Sequence, residues 1–176
     1  FGFAKDRLMH VFLYASMTVD LSADMLKKLG GRPRWGVTPS DPMGTTMRRI
    51  DTALGGNRII THTCASFLPG MEASEAALKR TAAVHARKFA DRFPALSGVR
   101  QEYTWAGHLC LTRNAVSIAR ELEPGLYAAT VCNGLGTARS TLTGIAAAEL
   151  VLGQDTATTR HFAREAQPAK LPPKPF

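Results

Sequence analysis

The chain has 176 residues, 45% of them hydrophobic and 20% charged, a composition that supports one core or two small lobes and excludes a disordered segment. Its net charge is +8, but the basic residues fall singly or in pairs (Lys27-Lys28, Arg48-Arg49, Lys79-Arg80, Arg87-Lys88), with no basic run interleaved with aromatics, which argues against a nucleic-acid partner. No apolar run approaches the roughly 20 residues that cross a bilayer, and Cys64, Cys110 and Cys132 form no CxxC, so no membrane partner, zinc knuckle or disulfide framework is expected and a reducing cytoplasm is the simplest setting.

In chain order, Phe1 opens without a methionine and runs into a strand-like stretch, as a piece of a longer protein would. Val11 to Val19 is apolar and β-prone and predicts a strand. Ser22 is placed to cap a short helix through Leu29, with Gly30-Gly31 as its stop. Arg32 to Gly44 reads as a connection ordered around Trp35. Thr45 to Asp51 and Arg58 to Thr63 flank Leu54-Gly55-Gly56-Asn57, and the positive φ angles that Gly and Asn supply predict an antiparallel hairpin.

Ser74 to Phe93 is the clearest helix, capped by Ser74 and ended by Pro94. Leu78, Ala82, Ala86, Phe89 and Phe93 recur at helical spacing as its buried face, which leaves His85 at the surface or half-buried. Val99 to Trp105 predicts a strand, and Gly107 to Thr112 continues it or pairs with it. Ala115 to Ala119 is a short strand and Leu126 to Val131 the last. The final helix runs from about Thr137 to Leu152, with Ala138, Leu142, Ile145, Ala146 and Leu150 on one side. Residues from Gln154 onward read as a proline-rich, extended tail.

The stretch Gly125 to Gly153 carries the functional signal. An apolar strand enters a glycine turn (Asn133, Gly134, Leu135, Gly136), and a small-residue helix leaves it. Bare backbone N–H groups at such a helix N-terminus attract anionic or electron-rich ligand atoms. The five histidines (His10, His62, His85, His108, His161) form no metal-ligand spacing, so no metal site is expected. There is no GxSxG elbow, no Walker loop and no GxGxxG.

Trp105-Ala106-Gly107, Thr112-Arg113-Asn114, Glu123-Pro124-Gly125-Leu126-Tyr127, Asn133-Gly134-Leu135-Gly136 and Ala148-Glu149-Leu150 with Gly153 follow in a fixed order. That order resembles the C-terminal part of the D-amino-acid oxidase-like family of FAD-dependent oxidoreductases. Within it the nearest branch is the gamma-glutamylputrescine oxidase or glycine-sarcosine oxidase type. Arg48-Arg49 and Gly56-Asn57-Arg58 resemble the family's substrate-domain strands, and the PPKP of residues 172–175 resembles the tail of the gamma-glutamylputrescine oxidase branch.

The resemblance implies an α+β fold, part of an α/β FAD-binding domain joined to an antiparallel substrate domain, with a mixed or antiparallel sheet and two main helices. It implies a substrate-domain portion over 1–112, a return into the FAD-binding domain over 113–153, and the tail over 154–176. It places Asn133, Gly134, Leu135, Gly136 and Thr137 at the flavin, and Arg48, Arg49, Trp105, His108, Leu109 and Cys132 around the substrate. It implies noncovalent FAD, because Cys110 falls one residue from the cysteine that carries flavin in some relatives. The partners it implies are a small amine or amino-acid substrate and a missing N-terminal FAD-binding half, with self-association of the piece alone.

Four residues depart from the family pattern. Leu109 and Cys132 stand where two substrate-carboxylate arginines are usual, Asn114 replaces Asp, and Ser117 replaces Pro. No residue offers itself as catalytic acid or base. The expected activity of the whole protein is therefore C–N oxidation by hydride transfer to flavin, with a changed substrate contact. The alternative, supported by the missing GxGxxG, is a noncatalytic α+β remnant or binding module.

Overall fold

The computed structural model describes residues 2–41, 44–67 and 72–173. Lys174 and Pro175 of the PPKP stretch, and Pro42 and Met43 of the Arg32–Gly44 connection, lie outside the described residues. The fold is α+β: antiparallel strand pairs with helices packed on them. The chain forms two compact units, Phe12–His108 and a second made of Leu109 onward with the chain up to Val11. It passes from one to the other within two long strands, β1 (Leu8–Thr18) and β5 (Gln101–Thr112).

In the Phe12–His108 unit the sheet order is β2-β3-β4-β1-β5, with β2 at Trp35–Val37, β3 at Thr46–Asp51 and β4 at Asn57–Ser66. The predicted hairpin is present: β3 and β4 pair antiparallel from Asp51↔Asn57 to Thr46↔His62, around Gly55 at φ +82. Its return strand runs to Ser66, past the expected end at Thr63. Trp35–Val37 is a short strand inside the segment read as a connection.

Helix α1 (Ala23–Leu29) has Ser22 as N-cap and Gly30 as C-cap, as read from sequence. Helix α2 (Glu75–Arg92) starts on the Ser74 cap and is followed by a single 3-10 turn at Pro94–Leu96. Its fully buried residues are Thr81, His85 and Phe89; of the expected stripe Phe89 is buried, Leu78, Ala82 and Phe93 are half-buried and Ala86 is exposed. The reason lies opposite it. The sheet face beneath α2 presents Ser16, Thr18, Thr61 and Thr63, all buried. Polar helix residues meet polar strand residues there, and apolar periodicity alone finds Phe89 but not Thr81 or His85. Leu21, Ile59, Phe89, Leu96 and Val99 supply the apolar core of this unit.

In the second unit, β6 (Ile118–Glu123) and β7 (Leu126–Thr130) form a hairpin closed by Pro124-Gly125, with Gly125 at φ +79. The strand expected at Ala115–Ala119 therefore begins later. Ala115 sits at φ +56 in a turn, and the charged run after Ala119 pairs with β7. Helix α3 (Gly136–Val151) buries Thr143 and Ala146. The expected stripe is mostly outward: Leu142 and Ile145 are 50% and 44% exposed.

The tail expectation is also corrected. Helix α4 (Ala157–Arg164) starts at a capping box built from Thr156 and Thr159, and its Phe162 packs with Ala119 and Ala146. A threonine stands where that motif ordinarily carries Glu or Gln, which hides it in the sequence.

Candidate functional site

The glycine turn follows β7 through three left-handed residues, Val131 at φ +66 and, after Cys132, Asn133 at +49 and Gly134 at +84. Gly and Asn accept that region readily, but a β-branched valine does not, so Val131 is a strained residue, of the kind that costs about 1–3 kcal/mol. The surroundings hold it there. The carbonyl of Val131 accepts from Ser117 Oγ at 2.8 Å. Asn133 is a latch: its Oδ1 accepts from the Thr112 amide at 2.8 Å and its Nδ2 donates to the Val116 carbonyl at 2.9 Å. Thr112 Oγ1 donates to the same Val116 carbonyl at 2.7 Å. The Asn133 side chain is thus turned inward to fix the turn.

What the latch holds is open to solvent. Gly134, Leu135, Gly136 and Thr137 are exposed, and α3 begins with no side-chain cap. Its first-turn N–H groups carry the positive end of the helix dipole. Gly136 has an ordinary φ, and a Cβ added to it would meet only Cys132 Sγ, at 4.0 Å. Neither backbone conformation nor internal packing calls for glycine there, although glycine weakens a helix by up to about 1 kcal/mol against alanine. A turn kept bare on its outer side suits close approach by a ligand edge.

Leu109 and Cys132 lie beneath this turn. A Cβ on Gly134 would stand 3.9 Å from Leu109 Cδ2. Burial, and then the neighbouring Cys132, push the Cys110 thiol above its usual range. The cysteines are all free.

Arg48, Arg49, Trp105 and His108 fall in the Phe12–His108 unit. Arg49 is buried, bonding Asn57 Oδ1 at 2.6 Å and the carbonyls of Gly30 and Arg32 at 2.8 Å. It ties the end of α1 to the hairpin and does not face solvent. Arg48 points to the opposite sheet face and is exposed. Register puts His62 and Ile60 of β4, and Ala15 and Met17 of β1, on that same face.

On β5, Thr104 turns toward α2, bonding Ser16 Oγ at 2.8 Å, so Tyr103 and Trp105 turn to the Arg48 face, 52% and 41% exposed. Arg58 lies over the Tyr103 ring at 5.6 Å. His108 packs edge-on against Phe12, centroids 4.2 Å apart. Both helices of this unit pack on the other side of the sheet. His62 and Tyr103 were missed in the sequence; stepping by two along the hairpin from Arg48 across Thr46 finds His62. Burial and the nearby Arg48 hold the His62 imidazole below its usual range. Among the described residues Arg48 forms no salt bridge.

The arrangement of strands and helices has counterparts among solved structures. Glycine oxidase from Geobacillus kaustophilus aligns with a TM-score of 0.62 at 17% identity, covering 86% of this chain and 37% of that one. Glycine oxidase from Bacillus cereus ATCC 14579 aligns with a TM-score of 0.56 at 18% identity, covering 85% of this chain and 38% of that one. The fold is similar to that of part of a glycine oxidase. The chain spans less than two-fifths of the length of either enzyme. No protein-family model matches the sequence, and comparison with curated proteins gives no match. Among the described residues no helix is long and apolar enough to cross a membrane, and no three His, Cys, Asp or Glu side chains gather as metal ligands.

Proposed function

We propose that this chain is the substrate-domain and flavin-facing portion of an FAD-dependent oxidoreductase acting on the C–N bond of an amine or amino acid. The observation that carries the reading is the latched, uncapped turn at residues 132–137, set in a fold similar to part of a glycine oxidase. FAD, when bound, supplies a hydride acceptor for the carbon next to the substrate nitrogen.

The first-turn N–H groups of α3, including those of Gly136 and Thr137, would hold negative charge at the flavin's edge. Asn133, Thr112 and Ser117 keep those donors in place before any charge arrives, which is the condition under which fixed dipoles are most effective. Noncovalent attachment is supported by the raised Cys110 thiol, which stays protonated and weakly nucleophilic near neutral pH.

Leu109 and Cys132 beside the turn offer no cation to a substrate carboxylate. A substrate held at the turn would therefore present an apolar body and the C–N bond there. In the Phe12–His108 unit, Arg48 is a separate exposed cation on the sheet face that also carries Met17, Tyr103 and Trp105. The uncovered apolar residues of α3 are where an FAD-binding half would pack.

Purification of the full-length protein with added FAD tests this. The expected result is a bound flavin with its visible yellow absorbance, bleached by substrate amines under anaerobic conditions. Absence of flavin binding at saturating FAD overturns the proposal.

A further inference from the structure

In the unit that holds the glycine turn, a cavity of about 340 Å³ opens between the β6–β7 hairpin and the segment before β1. Its walls include Leu8, Ile118 and Leu122, and two arginines, Arg7 and Arg120, also line it. Arg120 Nε is buried and has no hydrogen-bond partner among the described residues. A buried polar N–H without a partner is costly, more so when the group is charged. Arg7 gives one N–H to the Pro168 carbonyl. Among the described residues neither arginine forms a salt bridge. Glu121 also lines the cavity, but its Oε1 already accepts from the Gly125 amide at 2.8 Å.

We propose that this cavity binds a small organic monocarboxylate, with the carboxylate on Arg120 and Arg7 and the apolar body against Leu8, Ile118 and Leu122. Three features select that class. A guanidinium presents paired N–H donors that a carboxylate accepts, and Arg120, on the lining, has an Nε with no internal acceptor. The apolar walls require a carbon body, and 340 Å³ is the volume of a small-molecule site. Glu121 on the lining opposes a dianion such as phosphate.

The test is calorimetric titration of the full-length protein at low ionic strength, with benzoate and with inorganic phosphate as probes. Benzoate should bind at one site and more tightly than phosphate. Arg120→Gln should weaken benzoate binding by about tenfold or more, since hydrogen bonds to charged groups are each worth that much. Arg120→Lys should retain part of the affinity, keeping charge without the paired donors. Arg160→Gln, which alters a surface pair with Asp155, should leave affinity unchanged. Arg7→Gln provides a second weakening variant should Arg120→Gln fail to fold. No benzoate binding, unchanged affinity in Arg120→Gln and Arg7→Gln, or phosphate bound as tightly as benzoate overturns the proposal.

Discussion

Between the sheet and α2, the Phe12–His108 unit buries an imidazole and a row of hydroxyls and supplies most of them with partners; from Leu109 onward, the chain leaves a glycine turn and one side of α3 facing outward. His85 is fully buried, with Nε2 at 3.1 Å from the Thr63 carbonyl and Nδ1 at 2.7 Å from Ser16 Oγ. A carbonyl can only accept, so Nε2 carries the proton, Nδ1 accepts from Ser16, and Ser16 accepts from Thr104. One region closes its polar groups on themselves. The other holds its donors rigid and gives them no internal partner. Rigidity in the first serves the fold; in the second it serves whatever arrives.

The largest expected effect follows from that contrast. Phe89→Ala removes a ring that is 1% exposed and should destabilise the protein by about 3–5 kcal/mol in chemical denaturation. Ile145→Ala and Leu142→Ala, on the outward side of α3, should change stability of this chain by no more than about 0.5 kcal/mol. Comparable losses at both places would mean that α3 is already covered.

Asn133→Ala is next. It removes both side-chain bonds of the latch and leaves alanine in a left-handed conformation. A loss of about 1–3 kcal/mol is expected, together with faster hydrogen exchange at the Thr112 amide. Wild-type exchange at that amide would separate the turn from the latch and break the proposed division of roles.

The elements legible in the sequence were those that local chemistry decides. Ser22 and Ser74 cap, Gly30 and Pro94 stop, and Gly55 turns, whatever the rest of the chain does. The glycine turn and α3 were legible for the same reason. The burial of His85 was not, because it depends on Ser16 and Thr63, which are far away in sequence and arrive only through the register of β1 and β4. Arg49 and Arg48 divide between the two sheet faces by alternation alone, but which face is buried is decided by the loops that Arg49 ties down. Helix α4 was hidden because its cap is an unusual threonine pair and its anchor, Phe162, is a single aromatic.

Lowering the pH tests the closed region without mutation. Burial holds His85 below its usual pKa, with Lys88 and His62 nearby adding to the shift and the Thr63 bond opposing it. The unfolded chain then binds a proton that the folded chain refuses. Stability should be full above about pH 6.5 and fall as pH drops below it, by at most about 1.4 kcal/mol per pH unit for this group. His62, also depressed, contributes in the same direction. His62→Gln should therefore keep most of the slope. If it abolishes the slope, the buried imidazole is not the group that resists protonation.

The smallest expected effect on stability is the most informative about the open region. Gly136→Ala places a methyl group at an ordinary φ, in no more than van der Waals contact with Cys132 Sγ at 4.0 Å. Alanine favours helix, so the variant should be as stable as wild type or more stable by up to about 1 kcal/mol. If a flavin edge approaches the first turn of α3, the same methyl group stands in its way, and FAD affinity should fall as stability rises. Gly144→Ala is the matched control: also helical and free of any clash, but two turns along α3 from the proposed contact. It should gain stability without loss of FAD affinity. Opposite signs at position 136, with only the gain at 144, would be hard to produce by any change in folding alone. Equal FAD affinity in both variants would leave Gly136 without a role at the ligand.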